Sequence, residues 1–188
     1  MPSPASTFHD ALLQRLGLRD ALAPKPQARL AFSLYPGGLP LGQVALLEGP
    51  GRTQAVATLL AEHAGQTCAW VEERLSAYPP GLAQRGVALE RLLFVESGAQ
   101  WSWVLAQLLR SQVFKVIIVA SALKGSEVEA GLRRLQLAAE RSQSLVLLLA
   151  PPQGPAWAVR LRLACHWDEG TLSLKPQSAP ALSAEGGA

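Results

Sequence analysis

Residues Leu46 to His63 read LLEGPGRTQAVATLLAEH, and their order is that of a phosphate-binding site. A short apolar strand runs into glycine, a basic residue and a threonine follow, and a helix begins. A working loop of this kind has the form G-x-x-x-x-G-K-[ST]. Its backbone N–H groups converge on phosphate oxygens, its lysine reaches the outer phosphates and its hydroxyl holds magnesium. Here the corresponding residues are Gly49, Pro50, Gly51, Arg52 and Thr53, so one residue instead of four separates the glycines. Too few N–H groups are left to surround a phosphate, and Pro50 contributes none. Arg52 stands in for the lysine, with a larger, planar cation that is not its equivalent. The start of the following helix keeps its partial positive charge, which allows a weak anion site and no more. The expectation is a degenerate loop forming a plain strand-to-helix turn, with no nucleotide site, no catalytic residue, no metal and no cofactor.

The remaining polar residues point the same way. Asp10, Asp20 and Asp168 are the only aspartates, and none lies between Ala21 and Trp167. Many nucleotide hydrolases hold magnesium through an aspartate at a strand end, and the stretch that would supply it has none. His9, His63 and His166 are scattered, and no Cys/His spacing resembles a zinc site. Cys68 and Cys165 both fall in apolar, strand-like segments, which reads as two buried free thiols in a reducing cytoplasm. A net charge of +3, with thirteen arginines among seventeen basic residues, permits weak contact with nucleic acid or an acidic partner without requiring it. No apolar run approaches the ~18 residues of a membrane span. The opening MPSPASTFHD lacks a basic stretch followed by an apolar one, so neither membrane insertion nor a signal peptide is expected.

The 188 residues divide into three zones. Residues 1–28 hold one short amphipathic helix, with Phe8, Leu12 and Leu16 at i, i+4 and i+8 and Leu13 beside them, followed by the linker LAPKPQ. So short a helix is marginal alone and must dock on its own domain or on another molecule. Residues 29–174 alternate between the two kinds of element. GQVALLEG, TCAWVE, RLLFVE, KVIIVAS and LVLLLAP read as strands; TQAVATLLAEHA, PPGLAQRG, AQWSWVLAQLLRS and SEVEAGLRRLQLAAERS read as helices. Trp101, Val104, Leu105 and Leu108 share one face of the third helix. In the fourth, Val128, Leu132 and Leu135 turn inward and Arg133, Arg134 and Arg141 outward. Consecutive apolar residues suit strands covered on both faces, and the alternation with helices predicts a mainly parallel α/β sheet. AWAVRLRLACHW, then EG, then TLSLKP predicts an antiparallel pair at the sheet edge, with Arg160 and Arg162 on one strand face. Residues 175–188 read as a flexible tail.

The same segments carry a family resemblance. GGLPLGQVALLEGPGRT resembles the lead-in of the RecA recombinase family to its phosphate loop, with the loop shortened by three residues. GQTCAWVEE is similar to the RecA strand after the first helix, RGVALERLLFVES to the segment after that, and FKVIIVASA to the strand carrying the RecA magnesium aspartate. The match is collinear over about residues 37 to 165. It implies a RecA-like core: a mainly parallel sheet flanked by helices, with antiparallel edge strands near the C-terminus and a short N-terminal helix. It also puts the departures on the chemistry. Arg52 replaces the phosphate-binding lysine. Arg74 falls where RecA has its water-activating glutamate, with Glu72 and Glu73 close by. Ala120 sits at the strand-end aspartate, and Gly81 at about the place of the tyrosine that stacks on adenine; Thr53 is the main survivor. Together these changes remove the nest, the cation, the metal ligand and the base, so nothing remains to stabilise a phosphoryl-transfer transition state. The two RecA DNA-binding loops are reduced to ALKG and PPQGP, which implies weak or no direct DNA binding.

Two families pair such a core with a lost ATP site. ImuA proteins assist an inducible mutagenesis cassette with the polymerase-like ImuB and an error-prone polymerase, and members can act on RecA. SulA proteins inhibit the division protein FtsZ. The GGLPLG and QTCAWVE segments and the N-terminal helix resemble ImuA more closely. The resemblance therefore implies a non-catalytic interaction protein of the DNA-damage (SOS) response, with RecA and an ImuB-type protein as partners. The alternatives are a SulA-like inhibitor of FtsZ and an atypical ATPase in which Glu48, Glu72 or Glu96 replaces the aspartate. A weaker one is a DNA binder using Arg133, Arg134, Arg141, Arg160 and Arg162. Candidate partner contacts are Phe8, Leu12, Leu13 and Leu16 of the first helix, and Trp103. Trp70 and Trp157 lie in strands and read as core. Trp101 and Trp103 cannot both face inward from one helix, which leaves one as an exposed anchor.

Overall fold

The structure, a computed structural model, describes residues 27–124, 128–151 and 159–177. The apolar segments become strands where the pattern placed them. A small antiparallel pair, β1 (Arg29–Leu30) with β2 (Leu39–Pro40), precedes the main sheet. The main sheet comprises β3 (Gln43–Glu48), β4 (Cys68–Glu72), β5 (Leu92–Glu96), β6 (Val116–Val119), β7 (Leu145–Leu148), β8 (Leu161–Asp168) and β9 (Thr171–Pro176). Its seven strands run in the order β5-β4-β6-β7-β3-β8-β9. Every neighbouring pair is parallel except β8 with β9, which is antiparallel. Between these two strands Glu169 (φ 47) and Gly170 (φ 82) form the turn. Two successive positive φ values match the twist of a tight hairpin, which is why EG serves here. β9 continues to Pro176, opposite Leu163, two residues past the core boundary read at 174.

Helices α1 (Arg52–Glu62), α2 (Pro79–Ala83), α3 (Trp101–Ser111) and α4 (Val128–Ser142) cover the sheet. The period-two alternation of the strands supplies both faces. Ala45, Leu47, Trp70, Ile118 and Leu147 pack with Ala55, Val56 and Leu59 of α1 and Leu82 of α2. Val44, Leu46, Val71, Ile117 and Leu148 pack with Leu105 and Leu109 of α3 and Leu132 and Leu135 of α4. Both cysteines are free and buried, as their apolar surroundings predict. One buried polar residue ties the second layer to the sheet. β8 pairs with β3 only from Ala45 onward, and Gln136 of α4 serves the backbone before it. Val44 N–H donates to Gln136 Oε1 (2.9 Å), and Gln136 Nε2 donates to the Gly42 carbonyl (3.1 Å).

Phe8, Leu12, Leu13, Leu16 and Trp157, together with the linker up to Pro26 and most of the C-terminal segment, lie outside the described residues. No helix among the described residues is long and apolar enough to cross a membrane.

Candidate functional site

In an open parallel sheet the ligand crevice lies beyond the C-terminal strand ends. The ends of β3, β4, β5 and β6 bring there Gly49 to Thr53, Glu72 to Ala77, Glu96 to Gln100 and Ala120 to Lys124. This is where a triphosphate, its metal and its attacking water would have to be held.

The loop after β3 is a three-residue turn. Gly49 (φ 94) and Gly51 (φ 91) both occupy the left-handed region, which glycine enters freely, and Pro50 sits between them. Gly51 caps α1, its carbonyl accepting from Ala55 N–H at 2.8 Å, and no side chain caps the helix. Arg52 and Thr53 are exposed. The loop is covered from β8, the strand paired with β3 on the side away from β7. Trp167, at the end of β8, donates its indole N–H to the Pro50 carbonyl at 3.2 Å. A Cβ placed on Gly51 would lie 2.8 Å from that indole nitrogen and 3.1 Å from ring carbons Cε2 and Cζ2. Cys165 crosses beneath Gly49, its carbonyl 3.2 Å from where a Cβ would stand. Burial raises the Cys165 thiol pKa, and the positive charge of Arg52 opposes that rise. The anion-attracting start of α1 thus carries an indole packed on its N-cap residue, Gly51.

The carboxylates at the neighbouring strand ends are engaged in holding loops. Glu72 is buried; it accepts from Trp70 Nε1 (3.1 Å), Ala77 N–H (3.1 Å), Ser76 Oγ (3.3 Å) and Ser76 N–H. Burial alone would raise its pKa, but these hydrogen bonds together outweigh the desolvation and hold it below the usual carboxylate value. Glu96 accepts from Leu75 N–H at 3.0 Å. Glu73 pairs with Lys124 at 3.5 Å on the surface, while its own N–H donates to Ser121 Oγ at 2.8 Å. Glu48 is half-buried and Arg74 exposed. Ala120 directly follows β6, its N–H on the Val71 carbonyl (2.9 Å), so that position offers only a methyl group. Gly81 has the ring of Tyr78 beside it, a Cβ there falling 3.0 Å from Cδ1. Among the described residues no group of three or more His, Cys, Asp or Glu side chains is arranged to hold a metal ion. A shallow cavity of about 190 Å³, lined by Glu73, Ser97, Trp101, Ser121 and Lys124, is what the crevice offers instead.

Of the candidate partner contacts, the described residues include Trp103. It is 61% exposed on α3, whereas Trp101 is half-buried and donates its indole N–H to the Lys124 carbonyl at 3.3 Å. Trp70 lies in the core. The arginines proposed for nucleic acid divide between two elements. Arg133, Arg134 and Arg141 are exposed on α4, with Arg133 3.8 Å from Glu129. Arg160 is exposed before β8, and Arg162 is half-buried within it. Sequence reading missed the role of Trp167, the structural task of Glu72 and the position of Gln136. Trp167 and Gln136 act across more than ninety residues of chain.

Comparison with known proteins bears on the fold. No protein-family model matches the chain, and no curated protein matches it. Among solved structures it is similar to a crystal structure of the RadB recombinase, with a TM-score of 0.57 and 16% identity, over 71% of this chain and 78% of that one. The mainly parallel sheet, its flanking helices and its antiparallel edge strands accord with that likeness, and the chain has a RecA-like α/β fold.

Proposed function

We propose that this chain is a non-catalytic RecA-like interaction protein of the DNA-damage response. It would modulate a RecA filament and support error-prone translesion synthesis with an ImuB-type polymerase-like partner, in the manner of ImuA. One observation carries the reading: the turn that replaces the phosphate loop is three residues long and has Trp167 hydrogen-bonded to its Pro50 carbonyl. A triphosphate needs converging N–H groups and a metal ligand there. The site supplies a proline, a packed indole and, at the end of β6, an alanine. What is left for function is surface, and the exposed Trp103 is the kind of side chain that anchors protein contacts. The RecA-like fold makes a RecA polymer the first partner to test. A protomer that presents one docking surface without a competent ATP interface would end a filament.

The experiment adds the purified chain to RecA on single-stranded DNA with ATP and follows filament length by electron microscopy and strand exchange by gel. Shorter filaments and slower exchange at near-stoichiometric ratios are expected. Unchanged length and exchange, with FtsZ captured in a parallel pull-down, would replace this reading by that of a division inhibitor.

A further inference from the structure

On the outer side of the helical layer, α3 and α4 leave a trough between them. At one end Trp101 lies against Gly131, where a Cβ would meet its Cη2 at 2.5 Å, so the helices touch. Beyond that contact, Ala106 and Ala138 are too small to close the gap. Two adjoining hollows of about 380 and 440 Å³ open there, sharing Ala106, Arg134 and Ala138. Trp103 (61% exposed) and Leu137 (55% exposed) stand on its flanks. Large apolar side chains held this far in water beside an apolar floor mark a contact surface. Arg110, Arg134 and Arg141 line the same trough, and among the described residues no acidic one lines either hollow.

We propose that this trough docks an acidic amphipathic helix of a partner protein. An 11-residue α3 runs about 16 Å, enough to hold three turns of a helix laid along it. Apolar residues at i, i+4 and i+7 of the incoming helix fill the floor between Trp103 and Leu137, and its flanking carboxylates meet the arginines. Charge selects this occupant over the others. A second copy of the chain would bring the same arginines against themselves. The chain's own residues 6–17 carry Asp10 against Arg15 and His9 and offer no net negative charge. A nucleic acid strand would match the arginines but not a floor of alanine and leucine. The trough is on the α3–α4 side of the sheet, away from the loop covered by Trp167; it shares the exposed Trp103 with the filament reading, and peptide binding and filament length test the two apart.

The test titrates the full chain with a designed helical peptide of about 18 residues, bearing leucines at i, i+4 and i+7 and glutamates beside them, labelled for fluorescence anisotropy. Control probes are the same peptide with lysine for glutamate, and an oligothymidine of similar length. Saturable binding of the acidic peptide is expected, weakened roughly tenfold between ~50 and ~500 mM salt and at least tenfold by Trp103→Ala or by Arg110→Glu with Arg141→Glu. Because surface variants can change more than one thing, amide shifts on the unmodified chain provide a second reading and should centre on Ala106 and Ala138. Equal binding of the lysine peptide, preferential binding of oligothymidine, or shifts elsewhere would overturn the proposal. So would a crosslink between residues 6–17 and Trp103 in the free chain, which would mean that the trough is filled from within.

Discussion

Replacing Gly51 by alanine tests the covered loop at its tightest point. Gly51 has φ 91, and an L-residue held in that left-handed region costs about 1–2 kcal/mol. The new methyl also falls 2.8 Å from Trp167 Nε1 and 3.1 Å from two ring carbons. The indole is 46% exposed and can swing out, but it then loses its hydrogen bond to the Pro50 carbonyl, about 0.5–1.5 kcal/mol. Gly51→Ala should therefore lower the stability of the full chain by about 1.5–3.5 kcal/mol. In a Trp167→Ala background the clash is gone and only the backbone term remains, about 1–2 kcal/mol. The double-mutant cycle, measured by urea unfolding of the four proteins, should show a coupling near ~1 kcal/mol. Additive single effects, within ~0.3 kcal/mol, would mean that the indole does not lie on the loop, and the reasoning about the phosphate site would lose its main support.

Other outcomes follow from the same contacts. Gln136→Leu leaves Val44 N–H and the Gly42 carbonyl without their partner in the core and should cost about 2–4 kcal/mol by urea unfolding. Glu72→Gln removes a carboxylate whose folded pKa lies below its ordinary value. That carboxylate contributes stability above the unfolded-state carboxyl pKa and loses it as pH falls through the lower folded value. The stability gap between wild type and Glu72→Gln should thus be full at neutral pH and shrink below about pH 4; a gap independent of pH would contradict the hydrogen-bonded carboxylate.

The order of strands and helices was legible because each apolar run and its period obey local rules. GQVALLEG, KVIIVAS and LVLLLAP read as strands covered twice, and EG between two alternating runs as a hairpin. The shortness of the loop was legible too, since Gly49-Pro50-Gly51 leaves one residue between the glycines on any backbone. The cover over that loop was not, because Pro50 and Trp167 are 117 residues apart and meet through the β3–β8 register. Glu72 looked like a possible substitute base; its partners are mostly backbone N–H groups, which leave no mark in a sequence. The helical period fixed that one of Trp101 and Trp103 must face out. The apolar face shared with Val104, Leu105 and Leu108 put Trp101 inward and left Trp103 as the outward one; what the sequence did not show is Gly131, on another helix, which gives Trp101 a place with no side chain in the way. The β1–β2 pair had no pattern long enough to read.

The central claim is that a RecA-like core with this turn cannot grip a triphosphate. Isothermal titration of the full chain with ATP and magnesium tests it most directly. The structure predicts no saturable heat up to millimolar nucleotide. One-to-one binding tighter than roughly 0.1 mM, abolished by Thr53→Ala and by omitting magnesium, would contradict it.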